Sequence, residues 1–308
     1  MWRKHRGSVP LLLLLICSVF GCQRTELKDP PDTPPVVVVS IFPIGDLTRQ
    51  LVGELARVEV LLPPGASPAT FDVTPRQLRD LQRASLYFMI GGGLDEWVSR
   101  LPEASGGDSP VVRLSDGVPL LAGENDGHGH DDGSGNPHIW LDPILVRDEI
   151  LPKLEKALQA AFPDSAGPIG ARASVVADSL TALDEEIREA LRPLERRSFI
   201  ATHSAWVYFA ARYGLEEAGV VHTDAGQDPS SREMADLLEL ARVRGINCLF
   251  TEPQLGEMAV RALATELSLP TCLLDPLGGP DQEGREGYFQ LLRFNTRQLV
   301  LGLGGSGT

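Results

Sequence analysis

Short apolar runs rich in β-branched residues alternate with segments of helical spacing along nearly the whole chain, and this alternation constrains the fold most. The first run is four consecutive valines at 36–39, and helical spacing follows at 46–55. Further strand-like segments lie at 58–62, 86–90 and 111–114, separated by helical segments at 75–83 and 95–101. Alternation of this kind builds layers in which helices cover a mostly parallel sheet. The first half therefore predicts an α/β lobe.

The second half repeats the alternation after one long amphipathic segment. Strand-like segments lie at 198–201, 217–221, 247–251 and 270–274, and helical segments at 205–213, 231–244, 256–266 and 288–301. Between the halves, residues 171–192 carry apolar side chains at steps of three and four. A helix of this length measures roughly 33 Å, about the size of a small lobe. We predict an α/β protein with two lobes, 36–165 and 195–308, joined by one rigid helix within 166–194.

The amino terminus has the pattern of an export signal. A basic cluster precedes an apolar run at 9–20, which is shorter than the roughly 20 residues that span a bilayer as a helix. The run ends in Val19-Phe20-Gly21-Cys22, which resembles a bacterial lipobox. We predict a signal peptide at 1–21, lipidation of Cys22, and a proline-rich tether at 22–35. A plain secretory signal and an uncleaved anchor are the alternatives.

Charge and cysteine usage narrow the classes of function. The net charge of −14 argues against a nucleic-acid partner and against docking on anionic lipid. Of the four cysteines, Cys17 lies in the predicted signal and Cys22 in the lipobox, which leaves Cys248 and Cys272 in two short apolar runs. These two are candidates for a disulfide in an oxidising envelope, with two buried thiols as the alternative.

Half of the histidines lie close together in the sequence. Only six occur in 308 residues, and His128, His130 and His138 fall within eleven positions. Imidazole and carboxylate groups are common ligands of divalent transition metals. The glycine- and aspartate-rich loop at 123–135 carries the first two and can sample ions in solution, whereas His138 lies between a proline and an apolar turn that fixes it. The cluster indicates a metal-handling protein.

Four further candidates follow the four strand-like segments of the second half. His203, His222, Glu252 and Asp275 each come directly after one of these segments. In open α/β sheets, groups beyond the carboxyl ends of the strands gather in one crevice where ligands bind. Each residue has a structural alternative, such as a helix cap for His203 or a turn for Asp275. Together they indicate a binding site.

A series of motifs, in order, resembles the metal-binding receptors of bacterial ABC importers for zinc and manganese. The motifs are PGASP at 64–68, PHIWLDP at 137–143, ATH at 201–203, FAARYGL at 209–215, TEPQ at 251–254 and LDPL at 274–277. The resemblance covers nearly the whole mature chain. It implies two lobes with the metal held in the cleft between them, and a monomer anchored by lipid at the cell envelope. It also implies an ABC permease and its ATPase as partners.

The resemblance further implies which side chains bind the ion. The second, third and fourth ligands of the family fall on His138, His203 and Asp275. Zinc receptors place histidine at the third of these positions and manganese receptors usually glutamate. Because nitrogen ligands suit Zn²⁺ and hard oxygen ligands suit Mn²⁺, His203 favours zinc, with manganese as the alternative.

The first ligand of that family is missing here. A histidine is expected directly after PGASP, and the chain has Ala69 at that position. A methyl group cannot coordinate a metal, so the remaining set leaves a tetrahedral ion one ligand short. Water or another side chain is expected to complete the set. The candidates are His222, His128, His130, Asp72 and Glu252.

Three classes of function are consistent with these residues. The first is a receptor that captures Zn²⁺ for an ABC importer and has no enzymatic activity. The second is a descendant of such receptors that acts as an adhesin, a metal buffer or a binder of another ligand, for which the loss at Ala69 is the argument. The third is a zinc hydrolase with an open coordination position and Glu252 as base, although the sequence contains no His-Glu-x-x-His motif. The resemblance favours the receptor.

Overall fold

The computed structural model describes Trp2 and residues 34–68, 71–122, 135–222 and 228–304. Several sequence predictions therefore concern residues outside these ranges. They are the signal peptide, the lipidation of Cys22 and most of the tether, the substitution at Ala69, and the loop histidines His128 and His130.

The first sheet consists of four parallel strands in the order β2-β1-β3-β4. The strands are β1 (Val36–Val39), β2 (Arg57–Val60), β3 (Ala84–Met89) and β4 (Val111–Arg113). The helices between them are α1 (Phe42–Val52), α2 (Pro75–Asp80) and α3 (Leu101–Ala104). All four valines of β1 are buried, because a central strand of a parallel sheet is covered on both faces.

The second sheet has the same order of strands, β6-β5-β7-β8, and is also parallel. Its strands are β5 (Ser198–Ala201), β6 (Glu216–Val220), β7 (Leu249–Thr251) and β8 (Thr271–Leu273). The accompanying helices are α7 (Val207–Tyr213), α8 (Ser231–Val243), α9 (Met258–Leu267) and α10 (Tyr288–Gly304). The carboxyl ends of β5, β7 and β8 are neighbours, so the residues that follow them gather at one edge.

The helix between the two sheets is α6 (Ala166–Leu191), which has 26 residues and a length of about 39 Å. Its buried side includes Ile169, Val176, Leu180 and Leu183, which belong to a core cluster shared by both lobes. The helix packs against α1 of the first lobe and α10 of the second. The prediction of two parallel sheets joined by one long helix is thus confirmed.

The segment before α6 contains helices that the sequence pattern did not predict. A short helix α4 (Pro143–Leu145) runs through a π-helical turn (Val146–Ile150) into α5 (Leu151–Ala161). A proline lies in the first turn of both α4 and α5, where its missing N–H is not needed. Among the residues that the structure describes, no helix is long and apolar enough to cross a membrane.

The two cysteines that follow the predicted lipobox lie side by side in the second lobe. Cys248 directly precedes β7 and Cys272 lies in β8, and their Sγ atoms are 2.8 Å apart as a pair of free thiols. Cys248 is buried beneath α10, where it lies close to Gly302. The two alternatives of the sequence, thiols or a disulfide, therefore differ only by an oxidation step. The disulfide stays a prediction.

We expect protein isolated from an oxidising compartment to carry one disulfide between Cys248 and Cys272. The bond would close a loop of about 25 residues, for which chain entropy predicts about 3.5 kcal/mol of stabilisation of the folded state. Alkylation of the unfolded protein followed by mass spectrometry, with and without prior reduction, checks the bond, and thermal unfolding checks the stabilisation. Full alkylation of both thiols without reductant would contradict the prediction.

Candidate metal site

His138 is oriented by the residue two positions before it. Its backbone N–H donates to Asn136 Oδ1 at 3.0 Å, and its ring Nδ1 lies 3.0 Å from the same oxygen. Asn136 Nδ2 in turn donates to the carbonyl of Ser204 at 2.6 Å, which fixes the direction of the amide. Because an amide oxygen only accepts hydrogen bonds, Nδ1 of His138 carries the proton and Nε2 of the neutral ring is left with a lone pair.

The turn that carries His138 is held against the second lobe. Trp140 is fully buried, and its Nε1 donates to the carbonyl of Pro276 at 2.7 Å. Tyr288 Oη donates to the carbonyl of Trp140 at 2.8 Å, and Tyr208 Oη donates to the carbonyl of Asn136 at 2.7 Å. Three hydrogen bonds between the turn and the second lobe, one donated by the turn and two by the lobe, therefore hold the turn against that lobe.

His203 follows β5 and meets a carboxylate from the neighbouring strand β7. Its Nδ1 lies 2.7 Å from Glu252 Oε2, and Glu252 is 1% exposed. A carboxylate that accepts from one ring nitrogen of a histidine orients the ring and leaves the other nitrogen for a metal. The structure therefore gives Glu252, which the sequence offered as a ligand or a base, a position behind the imidazole of His203.

The two imidazoles face each other. Nε2 of His138 and Nε2 of His203 are 3.2 Å apart, and both rings have an acceptor at Nδ1. Two neutral rings would thus present lone pairs to one another, which is repulsive unless a cation or a proton lies between them. Two nitrogens bound to tetrahedral Zn²⁺ at about 2.0–2.1 Å are about 3.3–3.4 Å apart. The observed separation fits two ligands of one zinc ion.

The environment affects the two histidines in opposite directions. Burial, together with the nearby His203, holds the pKa of His138 well below its usual value. Burial also acts to lower the pKa of His203, but the charge and the hydrogen bond of Glu252, with a contribution from Glu217, outweigh it and raise the pKa. His138 is therefore neutral and ready to bind a cation, whereas His203 holds a proton more firmly when no metal is bound.

Asp275, the third predicted ligand, accepts hydrogen bonds from side chains and backbone groups of its own lobe. Its Oδ2 accepts from Arg285 Nη1 at 2.6 Å, and its Oδ1 accepts from Gln254 Nε2 at 2.8 Å. The backbone N–H groups of residues 277 and 278 also donate to Oδ1 at 3.0 Å. Within the described residues, no group of three or more histidine, cysteine or acidic side chains is arranged to hold a metal. The structure thus unites His138 with His203, and a ligand role for Asp275 stays a prediction.

His222 follows β6, on the far side of β5 from Glu252 and Asp275. It is 4% exposed, its N–H donates to the carbonyl of Thr202 at 2.8 Å, and its Nε2 lies 3.4 Å from the carbonyl of Gly256. A ligand role for His222 stays a prediction. The residue that sequence reasoning missed is Asn136, and the signal for it was present, because an amide two positions before a histidine can bond back to that ring.

The comparison with family models decides the family. The model of the zinc-uptake complex component A, periplasmic (ZnuA), matches residues 37–302. The chain belongs to the ZnuA family.

Relatives of this ZnuA-family chain are proteins named for metal binding. A putative metal-binding protein of Thermotoga maritima is 30% identical over 94% of this chain and 96% of its own length. The zinc-binding lipoprotein AdcA of Streptococcus pneumoniae is 25% identical over 95% of this chain. The chain spans only 60% of the length of that lipoprotein.

Solved structures agree with this assignment. A crystal structure of ZnuA is 28% identical, with a TM-score of 0.78 over 88% of this chain and 99% of the other. A laminin-binding adhesin of Streptococcus agalactiae, at 23% identity and a TM-score of 0.76, covers 87% of this chain and 99% of its own. The second likeness shows the fold alone.

We expect Glu252→Gln to weaken zinc binding without unfolding this ZnuA-family chain. Loss of the carboxylate charge next to Nδ1 of His203 makes that imidazole a poorer ligand. Groups that hydrogen-bond to a metal-binding histidine typically contribute 10- to 100-fold to metal affinity. Competition titration with a chelator measures the change. Glu257→Gln is the matched control, since Glu257 lies in the next turn of the chain and forms an exposed pair with Arg261. Equal affinities of the two variants would remove Glu252 from the site.

Proposed function

We propose that this chain is an extracytoplasmic receptor that captures Zn²⁺ and delivers it to the permease and ATPase of an ABC importer. The observation that carries the proposal is the pair of imidazole Nε2 atoms 3.2 Å apart, each with its Nδ1 held by an acceptor. Nitrogen ligands favour zinc over harder divalent ions. The description of the family as a component of a zinc-uptake complex supports the same ion and the same kind of partner.

The chain is attached to the membrane and binds its ion without transforming it. We propose lipid attachment at Cys22, which its lipobox and a lipoprotein among the relatives support. The receptor acts as a monomer at the cell envelope and has no enzymatic activity. Binding alone needs only deprotonated ligands and a protected position for the ion. Glu252, the candidate base of a hydrolase, is 1% exposed and lies against His203, which supports a positioning role.

The ligand set of the proposal begins with His138 and His203. Two imidazoles leave a tetrahedral ion two ligands short, so water or further side chains complete the set. Asp275 accepts hydrogen bonds from four donors, three of them at Oδ1, and a ligand role for its carboxylate is part of the proposal. Ala69 and the loop histidines lie outside the described residues, and a contribution from His128 or His130 remains part of the proposal.

The test is an equilibrium titration of metal-stripped protein with Zn²⁺ and Mn²⁺ in the presence of a competing chelator. We expect one zinc ion to bind tightly per chain, with weaker binding of manganese and no turnover of ester or peptide substrates. Absence of zinc binding would overturn the receptor and favour a descendant that binds another ligand. Zinc-dependent hydrolysis would overturn it in favour of an enzyme.

Zinc affinity is expected to fall as the pH drops through the raised pKa of His203. A protonated Nε2 cannot bind a metal, so protons and zinc compete at this ring. The pKa of His203 lies above its usual 6.5, whereas that of His138 lies well below it. Above the pKa of His203 the affinity should be constant. Below it, the affinity should fall by about tenfold per pH unit, with one proton released for each zinc bound.

The pH dependence of the dissociation constant and calorimetry in buffers of different ionisation enthalpy check this prediction. Glu252→Gln removes the charge that raises the pKa of His203, so its curve should begin to fall at a lower pH than that of the parent. Superimposable curves for the parent and this variant would exclude His203 as the group that titrates.

A further inference from the structure

The side chain of Asn136 connects the two facing histidines. Its Oδ1 accepts from the backbone N–H of His138 and lies 3.0 Å from Nδ1 of the same residue. Its Nδ2 donates to the carbonyl of Ser204, the residue after His203, at 2.6 Å. Asn136 is also buried. One buried amide is therefore bonded to one imidazole directly and to the backbone beside the other.

The two halves of this amide have different functions, because its partners allow only one orientation. The backbone N–H of His138 requires an acceptor, and the carbonyl of Ser204 requires a donor. Rotating the amide by half a turn would place two acceptors together at Ser204 and two donors together at His138. The oxygen of Asn136 thus orients the ring of His138, and the nitrogen holds this ring at a defined distance from the backbone of the second lobe.

The backbone that Asn136 reaches is itself held in place. Ser204 Oγ donates to Glu217 Oε2 at 3.0 Å, and the N–H of Trp206 donates to Glu217 Oε1 at 3.3 Å. Glu217 lies in β6, which pairs with β5, so one carboxylate fixes the turn after β5 to the neighbouring strand. The carbonyl of Ser204 is therefore a fixed point next to His203.

The backbone of Asn136 is held as firmly as its side chain. Its N–H donates to the carbonyl of Leu121 at 2.7 Å, and its carbonyl accepts from Tyr208 Oη at 2.7 Å. The same hydroxyl accepts from the N–H of Leu121 at 2.9 Å. Each polar group of Asn136 thus has a partner. The imidazole of His138 cannot move away from that of His203 without breaking at least one of these hydrogen bonds.

We propose that Asn136 is a positioning residue that sets the separation of the two imidazole nitrogens and thereby selects the bound ion by its size. This inference rests on the proposed function, since it presupposes that both imidazoles bind one divalent ion. The separation of 3.2 Å suits the short bonds of Zn²⁺, about 2.0–2.1 Å. Cd²⁺ has the same charge and also binds nitrogen, but it is larger. At the same angle its longer bonds require nitrogens that lie farther apart, which strains the hydrogen bond from Asn136 to Ser204.

The experiment compares the affinities of three proteins for Zn²⁺ and Cd²⁺ by chelator competition. Asn136→Asp keeps the acceptor for His138 and replaces the donor to Ser204 by a second acceptor. The ratio of zinc to cadmium affinity should fall by about tenfold, because the nitrogens can then move apart. The added charge acts on two ions of equal charge, so the ratio isolates the geometry. Asn247→Asp is the matched control, since Asn247 donates to the carbonyl of Leu303 in the same lobe.

Crystal structures of the parent loaded with each ion provide a second test that does not depend on the stability of Asn136→Asp. We expect the bond between Asn136 Nδ2 and the carbonyl of Ser204 to persist with Zn²⁺ and to lengthen beyond about 3.5 Å with Cd²⁺. An intact bond with Cd²⁺ bound to both imidazoles would overturn the inference. An unchanged metal ratio in folded Asn136→Asp would also overturn it. Failure of the parent to bind either ion would instead reject the proposed function, and this inference with it.

Discussion

Replacing His138 or His203 by alanine should reduce zinc affinity at least about 100-fold, which corresponds to roughly 2.7 kcal/mol of binding free energy. The two Nε2 atoms are 3.2 Å apart, and each ring has an acceptor at its Nδ1. Removing either ring leaves one oriented imidazole, and a single imidazole cannot hold the ion against a competing chelator. Zinc titration and Co²⁺ absorption spectra measure the loss.

His222→Ala is the informative control for this pair. His222 is buried in the same lobe and bonds to the backbone at Thr202, but its ring lies near the carbonyl of Gly256. We expect this variant to keep the affinity of the parent to within about threefold. A loss as large as that of His203→Ala would identify His222 as the additional ligand. Parent-like binding by both His138→Ala and His203→Ala would reject the site.

Arg212→Ala should lower the free energy of unfolding by about 3 kcal/mol, the second large effect we expect. Arg212 Nε lies 2.9 Å from both carboxylate oxygens of Asp142, and Nη2 lies 2.7 Å from Oδ2. Asp142 is 4% exposed and also caps α4 by accepting from the N–H groups of Ile144 and Leu145. Without Arg212 a buried carboxylate would lose its counter-charge between α7 and the turn that carries the metal site.

Thermal unfolding measures this effect, with an expected decrease of roughly 6–12 °C for a domain of this size. Arg293→Ala is the control, because its pair with Glu186 is exposed and such pairs contribute about 0–1 kcal/mol. Asp142→Asn combined with Arg212→Met should recover part of the loss, since asparagine can still cap the helix while leaving no unpaired charge. If Arg212→Ala melts like Arg293→Ala, the pair contributes nothing to stability.

The fold could be predicted because its main signals are local. Buried parallel strands read as runs such as the valines of β1, and the amphipathic spacing of α6 extends over most of that helix. The helices between 143 and 161 were not predicted because a proline can either interrupt a helix or lie in its first turn, as it does in α4 and α5. The packing around the segment decides which of these two positions the proline takes.

The site was predicted in part, for the same physical reason. The positions of His203, Glu252 and Asp275 after successive strands follow from strand order, which the alternation of the sequence implies. The sequence does not determine which hydrogen-bond or ion-pair partner each polar side chain has. Arg285 reaches Asp275 through the path of an irregular loop, and the facing of His138 and His203 depends on contacts 65 residues apart. Such pairings are tertiary and have no local pattern.

The uninterrupted middle of α6 has a consequence for how long an ion stays bound. From residue 171 to its end, the helix contains neither glycine nor proline, the residues at which helices usually kink. Both lobes pack on it, so it offers no hinge about which they could swing widely apart. If an ion binds as proposed, its departure would then require rearrangement of the turn at His138 or of the loops after the strands. Under the proposed function, the residence time of zinc would therefore be set by the dynamics of these loops.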